Sequence, residues 1–126
     1  MRDLEISNDG IALNVKQYQF LDWPDESVPH SQENLKKLVS QIQQEENKNK
    51  PIVVHCSAGV GRTGTLLALT QLKTIIKHQK NNKIDLGVSV FSIVRRLREQ
   101  RCMMVRTITQ YTLINNLVEQ WISEIQ

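Results

Sequence analysis

A cysteine, an arginine and three glycines share the ten residues His55-Cys56-Ser57-Ala58-Gly59-Val60-Gly61-Arg62-Thr63-Gly64, directly after the β-branched run Ile52-Val53-Val54. A cysteine that only packs behaves as a small hydrophobe and needs none of this company. Glycines at 59, 61 and 64 permit the positive φ angles or close approaches of a loop whose amide N–H groups aim at one point, which is a cradle for an anion. Ser57, Ala58, Gly59, Val60, Gly61 and Arg62 form that cradle, and the Arg62 guanidinium is a planar fork matched to two phosphate oxygens. A helix beginning here adds the partial positive charge of its N-terminus. The same field acts on the thiol. A free thiol pKa of about 8.5 falls to roughly 3.5–7.5 in such surroundings, so Cys56 is expected to be largely thiolate at neutral pH. The chemistry implied is attack of sulfur on phosphorus, giving a phosphocysteine that water hydrolyses.

Such a reaction needs a proton for the leaving group. Asp25, in the proline-stiffened stretch Trp23-Pro24-Asp25, is the candidate: it protonates the departing oxygen and then acts as base toward water. Thr63 is placed to donate its hydroxyl to the sulfur when the thiolate departs in the second step. His55 is expected to hold the loop by hydrogen bonds rather than to exchange protons with substrate.

The rest of the composition narrows the classes. The chain has 126 residues, 40% of them hydrophobic, which suits one small domain over 1–126, and a formal net charge of +3. The excess is partly concentrated in Arg95, Arg96, Arg98, Arg101 and Arg106, in favour of an anionic substrate. No aromatic-interleaved basic stripe accompanies it, so no nucleic-acid partner is expected. Cys56 and Cys102 have neither disulfide nor zinc spacing, which fits a reducing, cytoplasmic setting. No secretory signal or membrane segment is legible. The chemistry calls for no metal or cofactor.

The elements that must position these residues alternate in type. Asp3 to Ser7 and Ile11 to Leu21 flank Asn8-Asp9-Gly10, a hairpin signal. Ser31 reads as the cap of a helix with Leu35, Leu38, Val39 and Ile42 on one face. Glu45 to Lys50 reads as a solvated loop, and Pro51 to His55 as a buried strand. A helix from Arg62 carries Leu66, Leu69, Leu72, Ile75 and Ile76 and ends at a Lys80-Asn81-Asn82-Lys83 loop. Two more helices are predicted over Val88 to Arg98 and Thr109 to Glu124. The result is an α/β fold, a central sheet with flanking helices, with Cys56 between a strand and a helix N-terminus, where ligand sites gather. Cys102, Met103 and Met104 read as packing or loop residues, and His30 and His78 as surface residues.

The loop from His55 to Gly64 resembles the signature loop of the classical, tyrosine-specific protein tyrosine phosphatases. Trp23-Pro24-Asp25, with Val28-Pro29 after it, resembles their mobile acid loop. Gln100-Arg101-Cys102-Met103-Met104-Val105-Arg106-Thr107-Ile108-Thr109-Gln110-Tyr111 resembles their glutamine-bearing loop, preceded by a matching helix at Phe91-Ser92-Ile93-Val94 and Leu97-Arg98. The likeness runs from about Leu4 to Trp121 with the motifs in family order. It implies a partial phosphatase-like fold and hydrolysis of phosphotyrosine in proteins.

Two departures qualify it. The chain corresponds to roughly the C-terminal half of a classical catalytic domain; in the family the other half supplies a tyrosine-bearing loop and several strands. An oligomer, or a missing N-terminal segment, is therefore expected to complete the fold. Where the family places a water-positioning glutamine, Val105-Arg106-Thr107 has arginine, which accepts no hydrogen bond from water. Gln110 aligns with the family's second glutamine and takes part of that role, and Arg106 is expected either beside the pocket, supporting phosphate binding, or facing solvent. The competing reading is a catalytically impaired module that captures phosphotyrosine; a third is an incomplete domain that folds only against a partner.

Overall fold

A computed structural model describes residues 1–46, 49–84 and 87–125. The chain begins with an antiparallel hairpin, β1 (Arg2–Asn8) and β2 (Ile11–Gln17), in which Leu4 faces Val15 and Ile6 faces Leu13. Asp9 and Gly10 both take positive φ, 48° and 80°, as a two-residue turn matched to strand twist requires. Four helices follow: α1 (Gln32–Glu46), α2 (Gly61–Asn82), α3 (Val90–Gln100) and α4 (Ile108–Ser123).

Helix α2 is the axle, packed against each of the other three. Its buried Ala68, Leu69, Leu72 and Ile76 meet Leu35 and Val39 of α1, Ile93, Val94 and Leu97 of α3, and Leu113, Ile114, Leu117 and Trp121 of α4 in one hydrophobic core. Ser31, the cap read from the sequence, accepts from the Asn34 amide; two caps not read there are the Ser89 hydroxyl, which accepts from the Ser92 amide, and Thr107, which forms a reciprocal capping box with Gln110.

Several boundaries differ from the sequence reading. Helix α1 runs on through Glu46, into the polar run expected as loop, while Asn47 and Lys48 lie outside the described residues. Helix α2 likewise continues to Asn82, ended by Lys83 in the left-handed region. The main correction concerns Pro51 to His55, expected as a buried strand. The segment has no ladder, and Val53 is 86% exposed. A β-branched run signals extended backbone, but a strand exists only beside a partner, and no strand of the described residues runs alongside it. The sheet among the described residues is thus the hairpin, and Cys56 lies between an extended segment and the start of α2.

Candidate active site

The cysteine loop ends in a helix whose N-terminus has no side-chain cap: Val60 is the capping residue and contributes no side-chain hydrogen bond. Uncapped first-turn amides attract anions. Gly59 takes φ +73°, and its N–H donates to the Cys56 sulfur at 3.2 Å. Gly64 answers a different need. A Cβ there would sit 2.4 Å from the Val105 backbone nitrogen, so only glycine lets the 101–107 loop press on α2, where the Val105 amide donates to the Val60 carbonyl at 3.0 Å. From outside, the Arg101 guanidinium lies over Gly59 and donates to the Ala58 carbonyl, while Arg98 donates to the carbonyls of Met104 and Val105.

Opposing effects set the ionisation of Cys56. Partial burial pushes its thiol up; the Thr63 hydroxyl and the amides of Thr63, Gly59 and Val60 outweigh that and bring it down to about 7. The thiol is thereby shifted from its ordinary range toward the thiolate, in the direction the sequence implies. The Arg62 guanidinium is engaged elsewhere.

That engagement joins two motifs distant in sequence. Arg62 Nη1 donates to the Trp23 carbonyl at 3.1 Å, and Nη2 pairs with Asp25 Oδ1 at 3.2 Å. Arg62 Nε is buried without a hydrogen-bond partner among the described residues, while the Thr63 hydroxyl faces the Cys56 sulfur. A guanidinium N–H without an acceptor thus stands in the first turn of α2, next to the loop that holds Cys56. A cleft of about 530 Å³ runs along this loop past Cys56, Ser57 and Thr63 toward Leu97 and Met104. His55 is exposed, with Nδ1 3.4 Å from the Cys56 carbonyl, a local contact only.

The acid loop is internally braced and externally tied. Trp23 is buried, stacks edge-on with Phe20, and donates its indole N–H to the Ser27 carbonyl at 2.8 Å. The same carbonyl accepts from Gln110 Nε2 at 3.2 Å, and Gln110 Oε1 accepts from the amides of Arg106 and Thr107. Gln110 is 0% exposed, so it fastens the acid loop to α4. Arg106 is half exposed and pairs with Glu26 at 2.9 Å.

A cysteine loop at an uncapped helix N-terminus, crossed by an aspartate loop and closed by a glutamine, is found elsewhere. Residues 1–120 match the family described as Protein-tyrosine phosphatase. The chain belongs to the protein-tyrosine phosphatase family. Receptor-type tyrosine-protein phosphatase alpha of Homo sapiens is 35% identical over 126 residues, covering 97% of this chain and 15% of that protein. Tyrosine-protein phosphatase Lar of Drosophila melanogaster is 37% identical over 116 residues, covering 88% of this chain and 5% of that protein. The solved protein tyrosine phosphatase TbPTP1 of Trypanosoma brucei superposes with a TM-score of 0.81 at 35% identity, over 97% of this chain and 42% of that one. PTPN18 in complex with HER2-pY1248 phosphor-peptides gives 0.80 at 29% identity, over 95% and 44%. The chain thus spans less than half the length of these phosphatases.

Within this phosphatase family member, the sequence reading missed Glu26 and Ser27, the acid-loop residues that Arg106 and Gln110 engage. Its one available signal was an unmatched cation at 106 and an anion beside Asp25. Among the described residues no helix is long and apolar enough to cross a membrane. The receptor-type relatives lend no support to a cytoplasmic location.

Proposed function

We propose that the chain hydrolyses phosphotyrosine in proteins through a phosphocysteine on Cys56. The observation that carries this reading is the buried, unpartnered Arg62 Nε next to a cysteine whose pKa is brought down to about 7. A phosphate in the loop accepts from the amides of Ser57 to Arg62 and competes with Asp25 for the Arg62 guanidinium. Loosening of the Arg62–Asp25 pair lets the carboxylate take up a proton from solvent, which it hands to the tyrosine oxygen as sulfur bonds to phosphorus and the phosphorus–oxygen bond to tyrosine breaks. The names of the relatives, receptor-type and other tyrosine phosphatases, support phosphotyrosine as the substrate.

The test is release of inorganic phosphate from a phosphotyrosine peptide. Wild-type chain should turn over many equivalents, and Cys56→Ser should release none while still binding vanadate. Equal release by both would remove the covalent mechanism.

A second reading is favoured by one specific observation: Gln110 is spent on Ser27 and on two backbone amides, and Arg106 on Glu26. Neither is left to orient water, so hydrolysis of the phosphocysteine is the slow step and the phosphoryl group stays on Cys56 after the tyrosine has left. Rapid quench separates the two: a burst of one equivalent of tyrosine followed by a slow phase marks the impaired, stalled phosphoenzyme, and a linear course marks an efficient phosphatase.

A further inference from the structure

We propose that Glu26 and Arg106 are positioning residues for the acid loop, an ion-pair latch that holds Asp25 over the cysteine loop and makes the closed position sensitive to ionic strength. Among the described residues, three side chains from elsewhere in the chain make polar contacts with the loop. Two are already placed in the site: Arg62, on the Trp23 carbonyl and Asp25, and Gln110, on the Ser27 carbonyl. The third is Arg106, whose Nη1 lies 2.9 Å from Glu26 Oε1, between side chains 45% and 57% exposed.

The geometry is particular to these two residues. Glu26 follows Asp25 directly and has φ +56°, a conformation that costs a residue with a side chain. That φ belongs to a turn in which the Glu26 amide donates to Asp25 Oδ1 at 3.1 Å, so the carboxylate proposed as acid and the carboxylate in the latch share one turn. On the other side, Arg106 is fixed at its backbone, where its amide donates to Gln110 Oε1. Its charge is met by Glu26, so Arg106 acts on the acid loop rather than gripping the phosphate.

Because both partners are about half exposed, the latch is weak and screened by salt. It biases an opening equilibrium without locking it. Breaking it should raise the open-to-closed ratio about two- to fivefold, the range for an exposed pair.

The role in positioning Asp25 rests on the phosphatase reading; the latch itself does not, so its test avoids turnover. ¹⁵N relaxation dispersion at the backbone amides of Glu26 and Ser27 and at the Gln110 side-chain amide reports the open population of the loop. In wild type, raising NaCl from 50 to 500 mM, about a threefold shortening of the Debye length, should increase it. In Arg106→Gln it should already be raised and should no longer respond to salt. Glu26→Gln should match Arg106→Gln, and the double variant should be no looser than either single. Arg106→Lys should keep the salt response. Additive effects of the two single variants, or an open population that neither salt nor Arg106→Gln moves, would overturn the latch and leave the phosphatase reading untouched.

Discussion

Thr63 and the amides of Thr63, Gly59 and Val60 work against the burial that would otherwise push the Cys56 thiol up, and the balance settles at about 7. Replacing Thr63 by Val keeps the shape and removes the hydroxyl, so the midpoint should move upward, with less thiolate at neutral pH. A rise of about one unit would cut the ionised fraction at pH 7 about fivefold. The pH dependence of Cys56 alkylation by iodoacetamide, followed by mass spectrometry with exposed Cys102 as internal reference, should show this; an unmoved midpoint would assign the whole shift to the backbone. At this scale the sequence was informative where chemistry is local. Ten contiguous residues announce the cradle, its glycines and its nucleophile. The partners of Arg62 and Arg106 were not legible, because each pairs with the acid loop across a fold that no spacing encodes.

Helix α2 carries the site because its N-terminus is left uncapped and its first turn is pressed by the 101–107 loop. Gly64 makes that contact possible, with the Val105 nitrogen 2.4 Å from where a Cβ would stand. Gly64→Ala should therefore destabilise the chain by about 1–3 kcal/mol, the usual cost of overpacking, despite the better helix propensity of alanine. It should also lower the alkylation rate of Cys56, since lifting the loop disturbs the turn at Val60. Gly87→Ala, where a Cβ meets nothing within 4 Å, is the matched control and should do neither. Urea unfolding of both variants checks the comparison; equal midpoints would mean that the loop shifts at no cost. Helix positions were readable because a 3.6-residue period survives in any context. Pro51 to His55 misled because its β-branched residues describe a backbone preference, whereas burial depends on what lies alongside.

The hairpin sets the behaviour of the molecule as a whole. Its register puts Leu4, Ile6, Ile11, Leu13 and Val15 on one face, and Ile6, Ile11 and Leu13 are 55%, 75% and 61% exposed. Two-stranded ribbons are marginal alone in water and hold best against a third strand or a cover. Exposed apolar faces with open edges invite association. Among the described residues the sheet is this one ribbon, and its apolar face is largely exposed. The purified chain should accordingly associate as its concentration rises, which sedimentation velocity would reveal as a growing mean coefficient. Ile6→Lys with Leu13→Glu places opposite charges on directly facing positions, so the ribbon keeps a cross-strand pair while its face becomes polar. That variant should remain monomeric over the same range with unchanged Cys56 alkylation, since the helices and the site loops do not depend on the exposed face. Association persisting unaltered in the double variant would move the interface elsewhere, to the exposed Phe91 and Ile108 on the α3 and α4 side.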